Sequence, residues 1–457
     1  MPPEPGEGGL FGPTFSTHAM RSATSDRAWL QAMLDVEAAL AAAEAKAGLI
    51  PEEAAAAIAD TCHADRFDVD AIGRATVASG TPVVPLVRAL TDAVPEEAAR
   101  YVHWGATTQD VVDTAAMLLS RRGLDLLVED LGCVAERCAE LAEEHRATLM
   151  PGRTLLQQAL PISFGLKVAG WLVATADARD RLAELRRRGL AVQLGGAAGT
   201  LASLGPRGVD VLHQLSAELD LPEPPLPWHA HRGRVAEIGA ALGVAAGVMG
   251  KIALDVALMA QTEVAEVAEP SGPGRGGSSA LPHKRNPVGA VEVSACVRRV
   301  EALVGVLLGA MTQEHERAAG AWQAEWETLP EAFRLTAGAV DRTREVLDGL
   351  QVFTDRMRAN LEATHGLLMS EHVVMVLAER VGRPQARDLV DAACLRAVDA
   401  GRPLREELLA DPAVASQLSP AEVDAALDPA GYLGSADAFI DRALAAYRAR
   451  SGGSEVR

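Results

Sequence analysis

The stretch that decides the fold lies in the second half of the chain and runs Gly276-Gly277-Ser278-Ser279-Ala280-Leu281-Pro282-His283-Lys284-Arg285-Asn286-Pro287. Glycines and small hydroxyl residues open it and predict a mobile backbone. Two prolines restrict its second half and favour a turn followed by a new helix. A polar loop that only connected two helices would rarely combine a hydroxyl pair, an imidazole, two cations and an amide. Functional residues gather on loops held by rigid elements, so we interpret the stretch as part of a functional site.

The same residues resemble the signature loop of the fumarase/aspartase superfamily, whose pattern is GSS-x-M-P-x-K-x-N-P. Leu281 stands where methionine is usual, an apolar exchange of similar volume. The resemblance implies an all-α, three-domain fold with a central bundle of long helices. It also implies a homotetramer in which three chains contribute to each active site.

The composition agrees with a helical enzyme. Hydrophobic residues make up 49% of the chain and aromatic residues only 4%, which favours long helices packed by small aliphatic side chains. The formal net charge of −19 argues against a nucleic-acid surface. Because no uninterrupted apolar run reaches membrane-spanning length, no membrane partner is expected.

The cysteine and histidine spacing predicts neither disulfides nor metal. The five cysteines are scattered and form no CxxC or zinc pattern, which favours a reduced cytoplasm. The N-terminus is rich in proline and glycine and lacks the features of a signal peptide. His229 and His231 are two residues apart and have no third ligand placed by the sequence. We therefore expect a cytoplasmic protein with no metal and no cofactor.

Proline spacing predicts the domain organisation. Residues 1–106 contain short segments between prolines and predict an N-terminal helical domain, including a helix from Arg27 to about Gly48 capped by Ser25 or Asp26. Residues 107–360 predict the central bundle, and residues 361–457 predict a small C-terminal helical domain. The central prediction rests on long proline-free stretches, whose apolar stripes also indicate association with other subunits: 96–150, 162–205, 228–269, 288–329 and 331–383.

A second motif, HWGATTQDVVDT, begins at His103. One interpretation is a capping turn with a buried aromatic pair, because threonine and aspartate favour helix starts. The motif is also similar to the first conserved region of the adenylosuccinate lyase and carboxymuconate cycloisomerase branch. That resemblance places His103, Thr107, Thr108 and Gln109 in the substrate pocket.

The signature loop supplies groups suited to elimination chemistry. The superfamily removes a proton α to a carboxylate and holds the resulting carbanion as a doubly charged aci-carboxylate, which needs cations and hydrogen-bond donors. Lys284 and Asn286 provide a charge and an amide donor, and the resemblance assigns the base to Ser278. A serine must act as an alkoxide here, stabilised by backbone N–H groups and Lys284. Loop closure would exclude water.

One departure from the family is informative. Where several members have a histidine that serves the leaving group, this chain has Leu155, within the stretch Gly152 to Gln158. Leucine cannot transfer a proton, so either the chain is inactive or its leaving group needs no acid. Amines and hydroxide leave badly without protonation, whereas a carboxylate leaves well because its conjugate acid has a pKa of about 4. The carboxymuconate cycloisomerase branch has that leaving group and also lacks this histidine.

Further stretches resemble the same branch, including GRTLLQQALP, PWHAHRGRVAE and EHERAAGAWQAEW. The branch adds a carboxylate of 3-carboxy-cis,cis-muconate to a conjugated double bond, in the protocatechuate (β-ketoadipate) route of aromatic catabolism. A substrate with three carboxylates predicts binding by arginines, although any one arginine is equally compatible with a surface position. The resemblance thus implies substrate binding by Arg153, Thr154, Gln157, Arg234, Ser279, Arg285 and Arg317.

Three hypotheses follow from the sequence. The first is a cycloisomerase that forms 4-carboxymuconolactone. The second is a lyase that acts on a substituted succinate, similar to adenylosuccinate lyase or belonging to a biosynthetic pathway. The third is a non-catalytic helical scaffold, against which the presence of Ser278, Lys284 and Asn286 argues.

Overall fold

Helices dominate the computed structural model of the protein, which describes residues 9–270, 276, 281 and 284–452. The predicted all-α class is confirmed, with two small antiparallel strand pairs as an addition. The α-helices are α1 Gly12–Phe15, α2 His18–Ala23, α3 Asp26–Lys46, α4 Glu52–Thr61, α5 Val69–Ser79, α6 Val83–Ala93, α7 Glu96–Ala99, α8 Thr108–Glu144, α9 Phe164–Arg188, α10 Gly208–Leu219, α11 Gly233–Met259, α12 Val288–Gly309, α13 Ala321–Asp348, α14 Thr354–Glu362, α15 Ser370–Val381, α16 Arg383–Ala400, α17 Leu404–Ala410, α18 Pro412–Ala415, α19 Pro420–Ala426 and α20 Ala436–Gly452.

The chain divides into two compact units. The first takes in residues up to Gly132, Asp177–Gly250 and Glu292–Arg342. The second takes in Cys133–Ala176, Lys251–Val291 and the residues from Thr343 onward. The division of the chain at 106 and 360 stays a prediction.

The first unit contains the helices that the sequence anticipated most closely. Helix α3 begins after Ser25, whose side chain accepts a hydrogen bond from the Ala28 N–H, as the capping interpretation expected. One face of α3 is buried through Leu30, Leu34 and Leu40. Helix α11 is long and apolar enough to cross a membrane, a test that the core helix of a soluble protein also passes.

The second unit contains a β-hairpin in the stretch around Leu155. Strands β1 (Leu149–Thr154) and β2 (Gln157–Ser163) pair antiparallel with an irregularity after Pro151. The two-residue turn between them is made by Leu155 and Leu156, whose φ angles are 50° and 65°. Such turns match the twist of the strands but usually contain asparagine and glycine, because both residues need positive φ.

A second strand pair and a separate small core complete this unit. Strands β3 (Val267–Ala268) and β4 (Gln351–Val352) pair antiparallel. Beyond them, helices α15 to α19 enclose a cluster of fully buried apolar side chains, which gives this C-terminal part a core of its own. Its members include Val373, Leu377, Val390, Leu404, Leu408, Val414 and Val423.

Candidate active site

The turn that precedes α8 is fixed by one buried carboxylate. Asp110 is 1% exposed, and its Oδ1 accepts hydrogen bonds from the Gly195 N–H at 2.9 Å and from His229 Nε2 at 2.7 Å. Its Oδ2 accepts from the N–H groups of Gly196 and Thr107, both at 2.9 Å. A carboxylate has about four acceptor positions, so Asp110 is saturated and joins three distant parts of the chain.

Glycine is required where these segments approach each other. A Cβ on Gly105, whose φ is +76°, would lie 2.4 Å from Leu204 Cδ2. A Cβ on Gly196, whose φ is +67°, would lie 3.2 Å from the Gly105 carbonyl oxygen. Both positions combine a left-handed backbone with a close contact, which only glycine tolerates. The glycine-rich stretch after Leu194 therefore brings its backbone close to a neighbouring segment.

A second buried network lies one turn further along α8. The Arg232 guanidinium donates to both oxygens of Asp113, at 2.8 and 2.9 Å, and to the carboxylate of Glu325. All three side chains are at most 5% exposed. The Trp322 indole N–H also donates to Asp113, at 2.9 Å. Burial alone would lower the pKa of Arg232, but the two carboxylates outweigh it and raise that pKa.

These contacts locate four of the predicted substrate-binding residues. Gln109 is fully buried, and its amide donates to Asp113 Oδ2 at 3.1 Å and to the His229 carbonyl at 2.9 Å. Thr108 is the first residue of α8. Thr107 and Arg317 are brought together, because Arg317 Nη1 donates to Thr107 Oγ1 at 2.8 Å.

Arg234 is occupied by the protein backbone. Its Nη1 donates to the Gly189 carbonyl at 2.8 Å, just beyond the end of α9. Partial burial lowers its pKa. This geometry gives Arg234 a role in anchoring the start of α11.

His103, another predicted pocket residue, contacts a buried acid. Its Nδ1 lies 2.7 Å from Glu37 Oε1, and its φ is 57°. Glu37 is 1% exposed and comes from the middle of α3. The two residues are 66 positions apart in sequence.

Glu44, seven residues after Glu37 on α3, is a second buried acid. Burial, followed by the neighbouring Glu37, raises the pKa of Glu44 to about 9. Because its folded pKa lies above its unfolded value, the stability associated with its protonated form is present below about pH 4.5 and is lost as the pH rises toward 9.

Glu44→Gln should therefore raise Tm relative to wild type, more at pH 8 than at pH 5, in thermal melts. An equal difference in Tm between the variant and wild type at pH 5 and pH 8 would contradict the raised pKa of Glu44.

The hairpin of the second unit orients Arg153 toward a carboxylate of the protein. Arg153 Nη1 and Nη2 donate to Glu266 at 2.9 and 2.6 Å, and Glu266 is fully buried. Asn360 Nδ2 donates to the same carboxylate at 2.8 Å. This bidentate pair fixes the hairpin one residue before the end of β1.

The tip of the hairpin projects away from its own chain. Leu155 is 96% exposed and Leu156 is 77% exposed. Thr154 pairs with Gln157 at the end of the strands, and both are also exposed. The position that carries a histidine elsewhere in the family is therefore displayed on the surface of the protomer.

The signature loop is described only in part. Ser278 and Ser279 lie outside the described residues. Lys284 and Arg285 are exposed, and Arg285 Nη1 donates to Gln351 Oε1 at 3.1 Å. Asn286 is half-buried, and its N–H donates to the Gly276 carbonyl at 3.0 Å.

Helix α12 begins directly after this loop. Glu269 accepts hydrogen bonds from the Gly289 and Ala290 N–H groups at 2.9 and 2.8 Å. A carboxylate at this place satisfies N–H groups that a helix start leaves free. The C-terminal end of the loop thus enters a capped helix.

Sequence reasoning missed most of the buried charges that hold these segments. The missed residues are Glu37, Asp113, Arg232 and Glu325, and His229 was weighed only as a metal ligand. One signal was present for Glu37 and Glu44, because Met33, Glu37, Leu40 and Glu44 follow a spacing of four, three and four along one helix face. A charged residue within such a stripe needs a buried partner.

Within the described part of the chain, no group of three or more His, Cys, Asp or Glu could hold a metal ion.

Comparison with known proteins agrees with this architecture. Residues 14–301 match the family described as lyase, and residues 366–443 match the adenylosuccinate lyase C-terminus family. The chain is 51% identical to a Bradyrhizobium diazoefficiens protein named 3-carboxy-cis,cis-muconate cycloisomerase, over 95% of this chain and 97% of the relative. It is 46% identical to a Streptomyces davaonensis protein named nitrosuccinate lyase, over 96% of this chain and 94% of the relative.

A solved structure of a similar protein has the same fold. The crystal structure of the 3-carboxy-cis,cis-muconate lactonizing enzyme from Pseudomonas putida matches with a TM-score of 0.91 and 45% identity, over 96% of this chain and 99% of that one. The predicted fold class is thereby confirmed. The chain matches the lyase family model, is similar to these relatives over nearly its full length and shares their fold. It therefore belongs to the fumarase/aspartase superfamily of lyases.

Proposed function

We propose that the protein is a cycloisomerase that converts 3-carboxy-cis,cis-muconate to 4-carboxymuconolactone. The observation that carries the proposal is Leu155, a side chain without a transferable proton, at the 96%-exposed tip of the hairpin. A leaving group that departs from such a site must be stable as an anion. The carboxylate released when the lactone opens meets that condition, because its conjugate acid has a pKa of about 4.

The reaction is proposed to pass through an aci-carboxylate. In the lactone-forming direction, a substrate carboxylate oxygen bonds to one carbon of the conjugated system and the electron pair moves toward a second carboxylate. Ser278 then donates a proton to the adjacent carbon and becomes an alkoxide, which solvent reprotonates before the next turnover. Lys284 and Asn286 stabilise the charged intermediate and the alkoxide.

The contacts of the arginines suggest how their roles divide. Arg153 is paired with Glu266, and Arg234 with a backbone carbonyl. We therefore propose that Arg153 holds the hairpin in place and that Arg234 anchors the start of α11. Arg317 is held at Thr107, and Arg285 is exposed beside Lys284. We assign the substrate carboxylates to Arg285, Arg317 and Lys284, since cations with accessible N–H groups suit a tricarboxylate.

Nitrosuccinate elimination is the second candidate. The 46%-identical Streptomyces relative carries that name. Nitrite leaves as the anion of an acid, so it requires no proton from position 155. Ser278 would handle the proton α to a carboxylate in both reactions: it removes that proton in the elimination and donates it in lactone formation. Adenylosuccinate is disfavoured by the same reasoning, because its amine leaving group would depart unprotonated.

A side-by-side assay separates these candidates. Purified protein is given 3-carboxy-cis,cis-muconate, nitrosuccinate and adenylosuccinate at equal concentrations, with heat-denatured protein as the blank. We expect lactone formation from carboxymuconate with one solvent deuterium bound to carbon when the reaction runs in heavy water. Release of nitrite without lactone formation would favour the second candidate. Efficient cleavage of adenylosuccinate alone would overturn the interpretation of Leu155.

Exposed apolar side chains on the long helices support the further proposal of a cytoplasmic homotetramer with shared active sites. Val244 lies on α11, Val306 and Leu308 lie on α12, and Met311 follows α12; each is between 42% and 49% exposed. Helix faces of this kind are typically covered by another subunit. Light scattering of the active protein should give four times the chain mass. A monomer with full activity would exclude shared sites.

A further inference from the structure

Two carboxylates interrupt the apolar face of α3. Glu37 and Glu44 are each 1% exposed, on a helix face that also buries Met33 and Leu40. Taking a carboxyl group out of water is costly unless it is hydrogen-bonded or neutralised. Oε2 of Glu37 and Oε1 of Glu44 have no hydrogen-bond partner among the residues that the structure describes. Helix packing alone does not explain why two acids with so few hydrogen bonds are buried on this face.

Only one of the two acids has a side-chain partner. Glu37 Oε1 lies 2.7 Å from Nδ1 of His103, which is the length of a charge-assisted hydrogen bond. No comparable contact joins Glu44 to a side chain in the part of the chain that the structure describes. The two residues therefore share a helix, a side-chain type and a degree of burial, and differ in their contact with His103.

The contact determines which ring nitrogen of His103 is left for another ligand. A carboxylate can only accept a hydrogen bond, so beside the Glu37 carboxylate Nδ1 carries the hydrogen. Nε2 has no hydrogen bond among the residues that the structure describes, and the side chain is 16% exposed. One nitrogen is therefore fixed inside the protein and the other remains available.

The backbone adds a second constraint on His103. Its φ of 57° places it in the left-handed region, which is costly for a residue with a side chain and is held only when its surroundings require it. The following residues are tied to Asp110 through the Thr107 N–H and packed on Leu204 through Gly105. Backbone and side chain together leave the ring little freedom.

The charges around the ring favour the imidazolium form. Burial opposes ionisation of His103, but Glu37, with Asp110 as a smaller contribution, raises its pKa. Glu44 remains neutral at pH 7, because its own pKa is raised to about 9. Of the two acids, Glu37 is the one that faces His103.

We infer that Glu37 is a positioning residue for His103: it holds the ring through Nδ1 and directs Nε2 toward a carboxylate of the substrate. The inference rests on the proposed function for the identity of that substrate. It adds to the site a residue that lies 66 positions before His103 and itself makes no contact with substrate. Removing the acid should weaken substrate binding more than it slows the chemical step.

The test compares Glu37→Gln with Glu44→Gln as a matched control. Glu37→Gln should lower kcat/KM for carboxymuconate by about 10- to 100-fold, mainly through KM, a loss similar to that found when a hydrogen-bond partner of a site histidine is removed. The alkaline limb of its pH profile should move to lower pH, because His103 would lose its proton earlier. Glu44→Gln should leave both unchanged, since Glu44 is already neutral. Glu37→Asp, which keeps the charge, should restore most of the profile.

Two further measurements separate positioning from general stability. In a double-mutant cycle, His103→Asn and Glu37→Gln should give together little more loss than His103→Asn alone. Histidine NMR should show a lower pKa for His103 in Glu37→Gln than in wild type. Additive losses, or an unchanged pKa of His103, would overturn the inference. A wild-type protein that is inert toward carboxymuconate, with the pKa of His103 still lowered in Glu37→Gln, would contradict the proposed function instead.

Discussion

Replacing Ser278 by alanine should reduce turnover of carboxymuconate by about 10³-fold or more while leaving the fold intact. The expected loss follows from the role of Ser278 as the group that exchanges a proton with carbon, since positioned acids and bases contribute about 10²- to 10⁴-fold. The remaining activity would come from Lys284 and Asn286, which still stabilise the charged intermediate. Steady-state kinetics give the rate, and circular dichroism shows whether the helices are retained.

Ser279→Ala is the matched control for this experiment. It removes the same hydroxyl group from the neighbouring position of the same loop, so its effect on loop structure should be similar. We expect a smaller loss of turnover than in Ser278→Ala. Equal activity of Ser278→Ala and wild type would remove the serine from the mechanism, and equal losses in both variants would point to loop conformation as the cause.

Replacing Arg232 by leucine should give the largest loss of stability. Arg232 neutralises Asp113 and Glu325, and all three side chains are at most 5% exposed. Breaking a buried ion pair by removing one partner typically costs about 3–5 kcal/mol, because the remaining charges stay buried without compensation. Thermal melts at matched protomer concentration should show a lower Tm, by about 5 °C or more.

An exposed arginine pair provides the control. Arg405 donates through Nη2 to Asp424 at 3.0 Å, and both side chains are about half exposed, at 46% and 52%. Exposed pairs contribute little to stability because water and salt screen them. Arg405→Leu should therefore leave Tm nearly unchanged. Equal Tm changes in the two variants would show that burial does not decide the effect.

Much of the helical architecture was predictable from local sequence, but Pro330 was a poor guide to a helix end. The segments 288–329 and 331–383 were separated at Pro330. In the structure α13 runs from Ala321 to Asp348 and includes Pro330. The helix forgoes one backbone hydrogen bond there, and surrounding packing tolerates the loss. The actual break lies between Gly309 and Ala321, in a stretch without proline.

The segments of the candidate site could be named from motifs, but their partners could not. Asp110 bonds residues that lie 85, 86 and 119 positions away. No local pattern encodes such pairs, because they depend on how the helices pack. Gln109 shows the limit clearly: its position in the motif suggested a substrate contact, which stays a prediction, and the motif did not reveal that its amide N–H group joins Asp113 and the His229 carbonyl. A motif identifies a segment, whereas side-chain direction depends on the fold.

The hairpin tip has a consequence for how the family could diversify. Leu155 is 96% exposed, so the protomer loses almost no packing when this side chain changes. An exchange between leucine and histidine there would add or remove a leaving-group acid without passing through an unstable protein. Leu155 variants can therefore be compared for activity toward different leaving groups while Asp110 and the Arg232 network stay unchanged.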